Sequence, residues 1–209
     1  MLKKYLMLLL IVLLAIFLRF WNLDRNPPSL TWDEAAWGYN AYSLGKDGRD
    51  EFGKFLPLDY LESFGDFKPV MYAYLDIIPI KIFGLNEFAV RFPSALFGFL
   101  TVLVTYFLTK RIFFNSKEKE LYALLSAFFL AISPWHIMLS RAAFEANVAT
   151  FFLAGGVWLF LKGVQERKWY IVLSITFFVL SMYTFNTARI VAPLLVLFLG
   201  VTFRKQLIE

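Results

Sequence analysis

Asp33 and Glu34 are adjacent acids set between Trp32 and Trp37. A carboxylate held among tryptophans suits a general base that takes a proton from a hydroxyl. The pair also fits a local structural role. Thr31-x-x-Glu34 has capping-box spacing, and Asp33 favours the positive end of a helix. The two roles are compatible, with Glu34 capping while Asp33 reacts. Lys68 follows Gly65-Asp66-Phe67 and precedes Pro69. It is either an interfacial lysine ahead of a helix-opening proline or a point-charge binder of phosphate. Arg141 and Glu145 stand four residues apart. They form a local ion pair in the less favourable order, or they belong to a site in which Glu145 is a second carboxylate for acceptor or metal contact. Arg189 is the only charge in Phe185-Asn186-Thr187-Ala188-Arg189, as an anchor or as a second phosphate contact. His136 beside Trp135 is expected at an interface rather than as a ligand. The absence of cysteine excludes thiolate catalysis and Cys-ligated metals.

The elements that must position these groups follow from composition. Of 209 residues 59% are hydrophobic, 20% aromatic and 18% charged. A soluble domain runs nearer about 45–50% apolar and about 25% charged. A bilayer core needs roughly 17–25 apolar residues as helix. Runs free of acids and bases occur at Tyr5 to Leu18, Phe92 to Thr109, Leu121 to Ser140, Ala146 to Leu161, Trp169 to Ala188 and Ile190 to Phe203. The predicted class is therefore all-α, a polytopic membrane protein with six transmembrane helices. Arg19 is expected to snorkel to the interface from the first span. That span follows Lys3 and Lys4, lacks a small-x-small cleavage site, and is expected to be an uncleaved anchor.

Positive charge orients such a chain. With both termini cytoplasmic, the net charge of +5 divides into +7 on the inner segments and −2 on the outer ones. The basic excess is thus an orientation signal and not a sign of a nucleic-acid partner. Eleven of the 16 acids lie in the first outer loop, from Trp21 to Arg91. A connection this long is usually functional. One helix is expected from Thr31 to about Leu44, ending before Gly45. A second is expected from Pro69 to Phe83, lying in the interface with Met71, Tyr74, Leu75, Ile78 and Ile82 on one face and with Asp76 and Lys81 toward water or headgroups. Span interiors are nearly free of charge and no inverted repeat is evident, which argues against a transporter. A non-catalytic membrane scaffold is the other alternative.

The order of these features resembles a family. Trp32-Asp33-Glu34-Ala35 comes first. Phe67-Lys68-Pro69-Val70-Met71-Tyr72 follows. Gly84-x-x-Glu87-x-x-x-Arg91-x-Pro93-Ser94 leads into span two. The set is similar to the GT-C superfamily of membrane glycosyltransferases, nearest to bacterial members of the protein O-mannosyltransferase and aminoarabinose transferase group. The likeness covers most of Arg19 to Leu161. It implies a cell-membrane enzyme that takes a sugar from a polyprenyl-phosphate donor to a protein, glycan or lipid acceptor on the non-cytoplasmic face, with inversion. It implies a catalytic outer loop over residues 22–90, with Asp33 and Glu34 as the catalytic acids and Asp33 as the base. Lys68, Arg141, Glu145 and Arg189 would bind substrate or phosphate. Some relatives use a divalent metal, for which Asp33 and Glu145 are the candidate ligands. Family members usually have more spans. Residues 1–209 are accordingly expected to be one membrane domain corresponding to the N-terminal portion of such an enzyme.

Overall fold

Apolar runs separated by charged, Gly- or Pro-marked breaks fold here as helices, and the computed structural model describes residues 2–208. The chain enters through α1 (Leu2–Phe20) and α2 (Trp32–Asp47). A short hairpin follows, made of β1 (Leu61–Ser63) and β2 (Asp66–Lys68). Then come α3 (Met71–Phe83), α4 (Glu87–Ile112), α5 (Lys119–Ile132), α6 (Pro134–Arg141) and α7 (Glu145–Gln165). The last helices are α8 (Trp169–Thr184), α9 (Ala188–Thr202) and α10 (Arg204–Ile208). The fold is mostly helical, but the all-α expectation missed the hairpin.

By length and apolarity α4 and α7 can each cross a membrane, and α5 with α6 adds a third crossing if that bent pair is one span. The apolar helices α8 and α9 are shorter. The run from Leu121 to Ser140, expected as one straight span, bends by 58° between α5 and α6. Pro134 is the cause. The residue before a proline avoids helical angles, and Ser133 is extended at φ −60°, ψ 116°.

The break explains Arg19. Proline has no N–H to return to the carbonyl of Leu130. Arg19 does not snorkel; it is fully buried. Its guanidinium donates to the carbonyls of Leu130 at 3.2 Å and Ala131 at 3.1 Å. It also lies 2.7 Å from His136 Nδ1, which accepts from it. His136, expected at an interface, is buried in this contact.

The bundle has two distinct polar ends. At one end Lys4 and Lys110 meet Glu120, and Arg111 meets Glu166. At the other, Arg141 reaches the carbonyls after α1, Asn147 bonds Ser94, and Asn186 bonds the carbonyl of Phe67. The second end carries α2, the hairpin and α3.

Two details of that end differ from expectation. α2 does not stop before Gly45. It runs to Asp47 and is closed by Gly48 at φ 76°. Gly45 lets α2 approach α3 closely, since a Cβ there would come within 3.2 Å of Ile77 and 3.3 Å of Lys81. Asp76 does not face water or headgroups. It sits on the inner face of α3 with Tyr72, Ala73, Pro79 and Ile80, fully buried. Among the described residues neither carboxyl oxygen has a hydrogen-bond donor.

Burial without a partner disfavours the charged form, so desolvation holds the Asp76 carboxyl well above the ordinary carboxylate range. A pKa raised on folding contributes stability that is fully present below the unfolded value of about 3.9 and is lost as pH rises through the folded value. Thermal unfolding of the wild type should therefore fall as pH is raised through that window. Asp76→Asn, which stays neutral, should show a flatter profile and a higher midpoint at high pH. Parallel profiles for the two proteins would exclude this role.

Candidate functional site

The first turn of α2 sets the geometry. Thr31 is its N-cap, extended at φ −74°, ψ 168°. The Thr31 hydroxyl accepts from the Glu34 amide at 3.3 Å, and Glu34 Oε2 accepts from the Thr31 amide at 2.8 Å. This is the capping box expected from the spacing. It turns the Glu34 carboxylate back and inward.

There Glu34 meets Arg91 of α4, whose Nε donates to Oε1 at 2.8 Å. Both side chains are buried. Oε1 also accepts from the amide of Ala143 at 3.2 Å. The other Arg91 nitrogens donate to the carbonyls of Leu23 at 3.0 Å, Pro27 at 2.8 Å and Ser29 at 2.6 Å. One ion pair thus joins the loop after α1, the start of α2, the start of α4 and the link between α6 and α7. A charge-assisted network of this kind is stable only because every member has a partner. Glu34, expected as a catalytic acid, has its carboxylate occupied in this way, and Arg91 was not among the expected site residues. Its signal was an ionisable side chain at the start of an apolar run.

Asp33 is one residue earlier and faces away from this network. Its side chain is 55% exposed, and it is ion-paired to Lys68 Nζ. Lys68 is only 7% exposed and lies over the Trp37 ring at 5.3 Å, a cation–π contact. The hairpin delivers it. Leu61 pairs with Lys68 and Ser63 with Asp66, so the turn is Phe64-Gly65, with φ 52° and 76°. Two positive φ values identify a type I′ turn.

Glu145 begins α7 and is half-buried, and the charges of Lys68, Asp33 and Asp66 reach its carboxyl. The structure therefore pairs Asp33 with Lys68, with Glu145 and Asp66 within the electrostatic reach of that pair. Among the described residues no group of three or more His, Asp or Glu side chains is arranged to hold a metal ion.

The remaining expected site residues lie elsewhere. Arg141 forms no ion pair with Glu145 within the described residues. It donates to the carbonyls of Leu18 at 3.0 Å, Asn22 at 3.2 Å and Asn26 at 2.7 Å. It ties α6 to the loop after α1. Arg189 lines a groove of about 760 Å³ with Tyr60, Phe67, Met182 and Tyr183. Successive strand residues face opposite ways, so Phe67 and Lys68 lie on opposite faces of β2. Arg189 is thus across the hairpin from the Asp33–Lys68 pair.

What the arrangement can do chemically is limited and specific. It has an exposed carboxylate held by a shielded ammonium, with the carboxyls of Glu145 and Asp66 in the surrounding field. This is suited to proton abstraction next to a site of developing negative charge.

Comparison with known proteins follows the same direction. A family model described as "Dolichyl-phosphate-mannose-protein mannosyltransferase" matches residues 9–206. A protein of Aquifex aeolicus (strain VF5), named only "Uncharacterized protein", is 31% identical over the whole of this chain and 40% of its own length. "Putative mannosyltransferase YkcB" of Bacillus subtilis (strain 168) is 27% identical over 97% of this chain and 28% of its own length. The chain thus spans less than half the length of these relatives. No solved structure matches it.

Proposed function

The chain belongs to the dolichyl-phosphate-mannose-protein mannosyltransferase family, and on that premise we propose that it forms the reaction centre of a membrane glycosyltransferase using a polyprenyl-phosphate sugar. The observation that carries the reading is the Asp33–Lys68 pair: a solvent-reachable carboxylate held by a shielded ammonium at one end of an apolar bundle. The clustering of Lys4, Lys110 and Arg111 at the opposite end supports a cytoplasmic assignment for that end. The α2 and hairpin end would then face outward. Six crossings, with α1, α8 and α9 included, fit this arrangement.

The reaction is a displacement at the anomeric carbon. The acceptor oxygen forms the new bond to that carbon while its proton passes to the Asp33 carboxylate. The bond from the anomeric carbon to the phosphate oxygen breaks, and its electron pair leaves on the lipid phosphate. A base on one face and a leaving group on the other give inversion. Lys68 receives the charge that develops on the phosphate. Donor phosphate competes with Asp33 for the Lys68 ammonium, so donor binding would release the carboxylate for the acceptor. Glu145, within electrostatic reach of Asp33 and Lys68, would orient acceptor hydroxyls.

Membranes containing the protein, given labelled polyprenyl-phosphate mannose, should transfer label to an extractable acceptor. Lys68→Ala should lower that transfer by about 10²-fold, the scale of losing one charge-stabilising donor. Full transfer by Lys68→Ala would remove Lys68 from the mechanism. Failure of the wild type with every polyprenyl-phosphate sugar tried would overturn the reading itself.

A further inference from the structure

Beside the Asp33–Lys68 pair lies an apolar surface that the reaction as described does not use. Trp32 is the residue before Asp33 and is 79% exposed. Phe64, at the hairpin tip, is 71% exposed. Their ring centroids are 6.1 Å apart. No other residue of α2 or the hairpin leaves so large a side chain so open.

The tip has a cost. Phe64 takes the first central position of the type I′ turn at φ 52°, where Asn, Asp or Gly is preferred and a bulky side chain is strained. An aromatic ring there contributes little to burial. Strained residues of this kind gather at binding sites, where the surroundings hold them in place. The same hairpin that presents Phe64 also presents Lys68 to Asp33. Trp32 and Asp33 are likewise consecutive on the first turn of α2. Two separate elements thus each supply one aromatic and one charged group to a single location.

We propose that Trp32 and Phe64 form a stacking platform for the pyranose ring of the transferred sugar. This rests on the glycosyl-transfer reading above. The C–H bonds on one face of a pyranose pack against aromatic faces, while its hydroxyls remain free to meet Asp33, Glu145 and Asp66. Such a platform would hold the sugar by shape and leave its anomeric carbon beside Asp33. It would make Trp32 and Phe64 determinants of sugar affinity and not of proton transfer.

The test is a binding measurement, which separates this inference from transfer activity. The protein in lipid nanodiscs is mixed with mannose 1-phosphate, and saturation-transfer NMR reports which sugar protons touch it. The wild type should transfer saturation mainly to protons of one pyranose face. Trp32→Ala and Phe64→Ala should each weaken binding by about tenfold, the scale of one lost aromatic contact. Trp32→Phe and Phe64→Tyr should retain it. Thermal unfolding of each variant checks that the fold is kept. Unchanged affinity in both alanine variants, equal saturation of all ring protons, or no binding by the wild type would overturn the proposal. So would a share of tryptophan quenching by brominated acyl chains that Trp32→Phe removes, with sugar binding intact, since that marks a membrane anchor. Face-specific binding without sugar transfer would leave the platform standing and remove the transferase reading instead.

Discussion

Asp33→Asn is expected to abolish sugar transfer while the protein still inserts, folds and resists heat as the wild type does. The expectation has two halves with separate physical grounds. Asparagine matches aspartate in size and still accepts one hydrogen bond, but it cannot take a proton from an attacking hydroxyl. Loss of a positioned general base lowers turnover by about 10²–10⁴-fold. Stability should change little, because the Asp33 side chain is more than half exposed, the asparagine carbonyl can still accept from the Lys68 ammonium, and that ammonium also lies over the Trp37 ring. Measuring transfer from a labelled polyprenyl-phosphate sugar alongside thermal unfolding in detergent checks both halves. Wild-type turnover by Asp33→Asn would sink the assignment of the base. A folding defect in that variant would instead mean that the Lys68 contact holds the hairpin.

Arg91→Leu is expected to be the most destabilising single change at this end of the molecule. It strands the Glu34 carboxylate in the interior with only the amides of Thr31 and Ala143 as donors. It also leaves the carbonyls of Leu23, Pro27 and Ser29 without their donor. Removing one member of a buried ion pair costs about 3–5 kcal/mol, and each unmet buried carbonyl adds about 1–3 kcal/mol where water cannot replace the donor. Arg91→Lys should recover little, since an ammonium cannot reach several acceptors in one plane. The measurement is the unfolding midpoint of each variant, with Glu34→Gln and the double variant completing a cycle. Strong coupling between the two positions is expected. An Arg91→Leu protein within about 1 kcal/mol of wild type, well under the cost of breaking a buried pair, would show that the network is dispensable. Glu34→Gln will lose activity in either case. Turnover per folded molecule separates its positioning role from a catalytic one, and should stay near wild type in the fraction that folds.

The two adjacent acids show how far residue type can be read. Thr31-x-x-Glu34 specified the cap, and the cap is present with both of its hydrogen bonds. The spacing left open which acid stayed available, because that depends on what faces each side of the helix. Arg91 lies 57 residues on and faces Glu34, so Asp33 is the one left toward solvent. Lys68 was legible as a phosphate-type cation, yet its contact with Asp33 spans 35 residues and runs through a hairpin the reading missed. Three-residue strands carry almost no periodic signal, and Phe64-Gly65 lacks the Asn-Gly or Asp-Gly mark of a type I′ turn. Arg141 and Arg189 were expected to join Lys68 as phosphate-binding cations. One has its donors on backbone carbonyls and the other lies across the hairpin.

Composition and hydropathy alone determined that this is a helical protein built around apolar runs, because a helix satisfies its own backbone and local residue type suffices to specify it. They also determined that acids concentrate in one loop. Tertiary structure alone decided which polar groups were spent on holding helices together and which remained free. Arg19 went to carbonyls released by Pro134, Asp76 went into the core, Glu34 went to Arg91, and Asp33 stayed open with Lys68 on it. The physical reason is that a buried charge must find partners wherever the fold brings them, and those partners lie dozens of residues away in the chain.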